Sequence, residues 1–165
     1  DGFMMGTRSG SLDPSVVTFL MEKEQLTPKQ MDELLNKRSG MLGISGISSD
    51  DRDIEKAEEE GHHRAILTHE MLSYQIIKTI GGYISALCGL DALVFTAGIG
   101  ENSDVIREKV CDRLAVLGVQ IDREKNAGGR GWLDLTGPHS KVRVLVIPTD
   151  EELGIADRTY AYSDR

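Results

Sequence analysis

At 165 residues, with 39% hydrophobic and 28% charged positions, the chain can bury a sizeable core and falls outside the disordered classes. Nineteen Lys and Arg against 27 Asp and Glu leave a formal charge of −8, which argues against gripping a nucleic-acid backbone or an anionic membrane. No apolar run approaches the ~20 residues of a membrane span, so an anionic ligand would have to be held by a local site.

The opening residues, DGFMMGTRSG, lack the basic segment and long apolar stretch of a signal peptide. They also lack an initiating Met, and the chain is expected to start inside a longer protein. In SLDPSVVTFLMEKEQ, Asp13 is placed to cap a helix with Pro14 at its first position. TPKQMDELLNKRSG repeats the device, with Thr27 and Gln30 spaced as a capping box and Gly40 past the end. MLGISGISSDDRDIEK, rich in glycine and serine, reads as a loop entering a short helix. From about Gly61 to Leu87, Ile66, Leu67, Met71, Tyr74, Ile77, Ile80, Ile84 and Leu87 recur at helical spacing and predict one long helix. Gly81 and Gly82 within it read as a point of close packing against another helix.

ALVF, Ala92 to Phe95, is a continuous apolar run and predicts a strand buried on both faces. Ser103 to Leu117 reads as helix, GVQI as a second strand and DREKNAGGRG as a loop. KVRVLVIP is the clearest strand, with Val142, Val144, Val146 and Ile147 β-branched. A closing helix, TDEELGIADRTYAY, follows Pro148. This alternation predicts an α/β fold with a mainly parallel sheet and covering helices, whose ligands bind beyond the carboxyl ends of the strands. The turns at Thr96–Asn102 and Pro148–Glu151 fall at that edge. Cys88 and Cys111, without paired spacing, suggest buried thiols in a reducing cytoplasm, and with the four histidines they make no zinc pattern.

Four stretches carry chemistry. Gly98-Ile99-Gly100 opens like a dinucleotide fingerprint, but Ser103 stands where the third glycine belongs, and there is no G-K-[ST] either. Backbone amides at a helix start remain, suited to a phosphate or a purine face, or to a plain turn capped by Asn102. Arg8, among the small residues of MGTRSG, can bring its guanidinium to a phosphoryl group, the alternative being a side chain in a flexible tail. In SSDDRD, Asp50, Asp51 and Arg52 can bond a ribose and stack on a base, or simply favour a helix dipole. In PTDEEL, Thr149 and Glu152 are spaced as a capping box, leaving Asp150 and Glu151 where a carboxylate can take a hydrated magnesium ion.

In this order, MGTRSGSLDP, SSDDRDI, VFTAGIGEN and VIPTDEEL resemble the acetate kinase family, which includes propionate and butyrate kinases. The resemblance covers essentially the whole chain. It implies a ribonuclease-H-like domain of the actin, Hsp70 and sugar kinase superfamily, with the active site in a cleft between two such domains. It also implies reversible phosphoryl transfer from ATP, with magnesium, to acetate or another short-chain carboxylate, giving acetyl phosphate and ADP. A cytoplasmic homodimer paired through its C-terminal domains is expected, with no nucleic-acid or membrane partner.

By that resemblance, Arg8 matches the arginine that stabilises the transferring phosphoryl group, and Asp50, Asp51 and Arg52 match the segment that contacts adenosine. Gly98, Ile99, Gly100, Glu101 and Asn102 match the nucleotide loop, and Glu151 matches the magnesium-associated glutamate. Two positions depart from the pattern: the family often carries an apolar or aromatic residue where Asp51 stands, and commonly Asn where Asp150 stands. These kinases are much longer. Residues 1–165 are therefore expected to be a C-terminal nucleotide-binding domain, with the N-terminal domain, catalytic aspartate, acyl pocket and phosphate loop outside this sequence. Alone, such a piece would be an inactive nucleotide-binding or dimerisation module.

Overall fold

The first two helix starts follow local capping chemistry in the computed structural model, which describes residues 2–163; Asp1, Asp164 and Arg165, at the ends of the expected 1–165 unit, lie outside the described residues. Helix α1 (Pro14–Lys23) begins after Asp13, whose carboxylate accepts from Ser15 N at 2.8 Å. Helix α2 (Pro28–Lys37) begins with the reciprocal Thr27–Gln30 capping box.

The stretch after α2, expected as a loop, opens instead with a short helix, α3 (Gly40–Ser45). Its two glycines weaken helix propensity, and long-range bonds compensate. Ser39 N donates to Thr7 O, Met41 N to Met5 O and Leu42 N to Gly6 O. At the other end Arg64 bonds the last carbonyls, Nε to Ile44 O at 2.6 Å and Nη2 to Gly43 O at 2.9 Å. Gly40 sits at φ +63°, and a Cβ there would collide with Met5 O and Arg8 O. Only glycine lets the N-terminal segment lie this close.

Helix α4 (Asp51–Glu59) leads into α5 (His63–Leu87), the long helix, which packs on α3, α4 and α7 (Asp104–Arg113). Its buried positions are Ala65, Thr68, His69, Leu72 and Ser73, a largely polar set. The apolar series predicted from the spacing faces mostly outward: Tyr74 is 57% and Leu87 73% exposed, while Ile77 and Ile80 are partly buried against the core. Periodicity marks which positions are apolar, not which of them this stretch of chain covers. Nor are Gly81 and Gly82 a packing point, since a Cβ on either would meet nothing within 4 Å.

Strand β1 (Ala92–Phe95) pairs in parallel with β3 (Arg143–Val146), and β2 (Leu133–Asp134) joins β3 antiparallel, in the order β1-β3-β2. The sheet is mixed, where a mainly parallel one was expected. GVQI makes no strand, only a single bridge from Ile121 to Thr136. Strand β1 is buried on one face rather than two: Leu93 and Phe95 enter the core and Val94 is 45% exposed. Between β1 and α7 runs α6 (Ala97–Asn102), helical where a glycine turn was predicted. The helix expected over Ser103–Leu117 breaks after Arg113 into a 3₁₀ turn at Ala115–Leu117. The short α8 (Arg123–Asn126) and the terminal α9 (Glu151–Ser163) complete the order. One core cluster joins Ile54, Leu72, Ile106 and Val110 of the helices to Phe95, Val144 and Val146 of the sheet.

Of the two thiols expected to be buried, only Cys111 is; Cys88 is exposed at the left-handed end of α5. Burial pushes the Cys111 thiol up to about 12. The native protein should therefore give one fast-reacting thiol with a chromogenic disulfide reagent and two after unfolding in guanidinium. Gly40→Ala should lower unfolding stability by about 3 kcal/mol, from left-handed strain plus the collision with Met5 O; urea denaturation measures it.

Candidate functional site

The carboxyl edge of the sheet is shaped by an unusual backbone. Ala97, the first residue of α6, has φ +58°, a left-handed conformation that costs a non-glycine residue about 1 kcal/mol. After that bend, a Cβ on Gly98 would meet nothing within 4 Å, while one on Gly100 would sit 3.4 Å from the Phe95 carbonyl carbon. Gly98 thus faces open space, while Gly100 lies where α6 folds back over the end of β1. Asn102 does not cap the next helix. Its Nδ2 donates to Gly98 O within α6 at 2.8 Å, and Ser103 caps α7 by accepting from Ile106 N.

Arg107, fully buried, fixes α6 from below. Its Nη1 donates to Gly100 O at 3.1 Å and Glu101 O at 2.9 Å, its Nε to Asn126 Oδ1 at 2.7 Å and its Nη2 to Asn126 O at 3.3 Å. Burial pulls its pKa down, with the Asp104 charge acting the other way. The carbonyls it meets include those at the C-terminal end of α6, where a cation is favoured.

Between α6 and the start of α4 lies an open hollow of about 740 Å³. Asp50, Asp51 and Arg52 line one side and Gly98, Ile99 and Asn102 another, with Glu55, Asp104 and Arg130 between. Six of the ten residues singled out in the sequence are brought together there. Asp50 is the cap of α4, accepting from Arg52 N at 3.0 Å, and is also bonded by Arg52 Nε at 3.0 Å. The bond from the Arg52 side chain, then that from its backbone N–H, holds the Asp50 carboxyl down to about 2. Arg52 itself stays 87% exposed, its planar group open to solvent.

Asp51 has a second attachment that the sequence did not signal. Its Oδ1 lies 3.2 Å from Nε2 of His69, a fully buried ring whose Nδ1 bonds Glu58 Oε2. Burial opposes charge on the imidazole, but the bonds to Asp51 and Glu58 outweigh it and raise its pKa above the ordinary value. Lys109 Nζ reaches Glu58 at 2.8 Å and Glu70 at 3.3 Å, and Glu70 is also paired with Arg113. Burial, then the charges of Asp104 and Asp51, raises Glu55 in the hollow wall.

Arg8, Gly100, Glu101 and Glu151 lie outside the lining. Arg8 is exposed, but its segment is no flexible tail: Met5 N donates to Arg8 O, Ser9 N to Leu35 O and Met4 N to Gln75 Oε1. A Cβ on Gly6 would come within 2.8 Å of Ser49 O, so the segment runs beside the loop that lines the hollow. Glu101 Oε1 accepts from Thr149 N at 3.0 Å and Thr149 Oγ1 at 3.2 Å, tying the two strand-to-helix crossovers together. Thr149 therefore forms no capping box with Glu152; Asp150 caps α9, its Oδ1 accepting from Leu153 N at 2.9 Å. Glu151 follows, exposed, as the first residue of α9. Among the described residues no three His, Cys, Asp or Glu cluster as metal ligands.

His69, Arg107, Glu55 and Arg130 escaped sequence reasoning. A lone histidine in an apolar helical pattern and an arginine in a charged helix give no local sign of burial.

Arg107→Met should cost about 3 kcal/mol, since several buried carbonyl groups lose their donor, and should speed amide exchange in α6 and α7. Because the folded state raises the pKa of His69, it binds that proton more tightly than the unfolded chain. The resulting stabilisation is complete below the unfolded value near 6.5 and is lost as pH rises through the folded value. Thermal melts across this range should show Tm falling on the alkaline side, and His69→Gln should remove that fall.

The acetokinase family model matches residues 1–157. The acetate kinase of Heliobacterium modesticaldum is 51% identical over 160 residues, covering 97% of this chain and 40% of its own length. That of Methanosarcina acetivorans is 54% identical over 159 residues, covering 96% and 39%. Among solved structures, the acetate kinase of Porphyromonas gingivalis superposes with a TM-score of 0.90 at 50% identity, covering 98% of this chain and 41% of that one. A propionate kinase from Francisella tularensis gives 0.85 at 38%, covering 93% and 39%. The chain thus spans about 40% of the length of the curated relatives it matches. Matched by this family model over residues 1–157 and about half identical to these acetate kinases, the chain belongs to the acetokinase family.

Proposed function

We propose that the chain is the C-terminal nucleotide-binding part of an acetate kinase, which transfers a phosphoryl group reversibly between ATP and acetate, with acetyl phosphate and ADP as the other pair. The observation that carries this is the hollow in which Asp50, Asp51 and Arg52 face Gly98, Ile99 and Asn102. Four carboxylates and two guanidinium groups line it, Asp50, Asp51, Glu55 and Asp104 against Arg52 and Arg130. An acidic wall suits ribose hydroxyls and a base amino group, both of which donate hydrogen bonds, and repels phosphates. The adenosine therefore belongs in the hollow, with the exposed Arg52 plane available to stack on the base. The phosphate chain belongs outside it.

Arg8 is the cation assigned to the phosphoryl group. Its segment is anchored by backbone bonds to α2 and α3, so the guanidinium starts from a fixed base while remaining exposed. Phosphoryl transfer asks little covalent chemistry of a protein; positioning and charge stabilisation carry it. Glu151, an exposed carboxylate at the start of α9, fits magnesium, which binds through one or two carboxylates and keeps several waters. When bound, that ion would offset charge on the β- and γ-phosphates. Acetate is named as the acceptor because the curated relatives matched at about 50% identity are acetate kinases. A cytoplasmic homodimer belongs to the same reading.

A second reading is a nucleotide-binding or pairing module without turnover of its own, favoured by the 40% coverage of the relatives. Calorimetry with ADP and a hydroxamate assay for acetyl phosphate separate the two: binding without product supports the module, and product supports a self-sufficient enzyme. Gly98→Leu tests the site itself. A leucine there enters open space, so Tm should hold while ADP affinity falls about tenfold or more (1.4 kcal/mol). Unchanged affinity would remove the hollow from nucleotide binding. In a catalytically complete enzyme containing this sequence, Arg8→Ala should lower kcat by roughly 100- to 1,000-fold with little change in ATP affinity.

A further inference from the structure

The hollow wall at Asp51 is held from behind. Asp51 opens α4, Glu58 lies seven residues later on the same helix, and His69 of α5 stands between them, fully buried. We propose that His69 is a positioning residue of the nucleotide site: its buried imidazolium clamps Asp51 of the hollow wall to Glu58 behind it, so that nucleotide affinity follows the charge on this ring. The inference rests on the nucleotide reading of the hollow given above.

The valence of the ring makes the argument. A neutral imidazole has one N–H and one lone pair, so it can donate to only one of two carboxylates. The other carboxylate would then face a lone pair. Only the protonated ring donates to both Asp51 and Glu58.

The surrounding charges decide which bond yields when the proton leaves. From α4 the ring faces Asp51 and Glu58, with Glu55 close enough to feel its charge. From α7, Lys109 bonds Glu58, and with Arg113 it also holds Glu70 of α5. Glu58 therefore keeps a cation after the ring becomes neutral. Asp51, at 3.2 Å the looser partner, has no other ion pair among the described residues. It is the group released, and it lies in a wall that already carries Asp50, Glu55 and Asp104. Once the ring is neutral the Asp51 charge is no longer offset, and the first turn of α4 is free to shift. Packing alone does not call for such a cluster, since apolar residues of similar volume usually stabilise a buried site as well or better than ions do.

The test follows two titrations on the 165-residue chain. Nitrogen NMR of the His69 ring gives its protonation midpoint, and calorimetry gives ADP affinity from about pH 7 to 10, where a terminal phosphate with a second pKa of about 6 is already ionised. Affinity is expected to fall about tenfold with rising pH, a coupling of ordinary size, with the same midpoint as the ring. Glu58→Gln lies outside the hollow and removes one charge that favours the imidazolium. It should move both midpoints down together, by about one pH unit, which a purely structural role would not do. The unaltered chain decides the matter even if that variant fails to fold. A flat affinity profile while His69 titrates, or an affinity midpoint that does not follow the ring, overturns the proposal alone. Absence of ADP binding at every pH overturns the nucleotide reading and this coupling with it.

Discussion

Among the described residues the buried guanidinium of Arg107 has no carboxylate partner, and the arrangement of the site follows from how Arg107 meets carbonyl dipoles instead. It gathers the last carbonyls of α6 and both oxygens of Asn126, while Asn126 Nδ2 turns to Asp104 O at 2.9 Å. Three helices, α6, α7 and α8, are thereby fixed to one another through a single side chain. α6 can then hold its left-handed entry at Ala97 and keep Gly98 facing the hollow. The helix is six residues long and contains two glycines, so its own propensity would not keep it in place.

The opposite wall is fixed by different means. Asp50 caps α4 from in front and His69 holds Asp51 from behind, so consecutive residues are anchored in opposite directions. Beside them the segment Met4–Gly10 is laced to α2 and α3 by backbone bonds and to α5 by Met4 N donating to Gln75 Oε1, with Gly40 leaving room for the approach to α3. Glu101 adds the last tie, joining the crossover after β1 to that after β3. Each wall is thus held in part by a residue that does not line the hollow, Arg107 for α6 and His69 for α4.

Apolar surface left outside this framework has its own pattern. Tyr83 and Leu87 on α5, Val94 on β1 and Ile155 on α9 are all well exposed. Single exposed apolar residues are ordinary, but here they belong to the long helix, the sheet and the terminal helix alike. In a chain that spans about 40% of its relatives' length, that exposure separates the core these residues build from the surface they leave uncovered.

What the sequence determined by itself was local. The starts of α1 and α2, the extent of α5 and the strand at Arg143–Val146 depend on caps, periodicity and β-branching within a few residues, and they formed where those signals lay. The motif residues around the hollow were legible too, through their order along the chain. Tertiary structure alone decided that α3 and α6 are helices, because their backbone is supported by Met5, Gly6 and Arg107 from elsewhere in the chain. It alone made the buried face of α5 polar and drew His69 and Arg107 inside. A charged side chain goes inside only when partners distant in sequence meet it, Glu58 and Asp51 for one and Asn126 for the other. Desolvation is a property of that assembled neighbourhood, and no window of adjacent residues carries it.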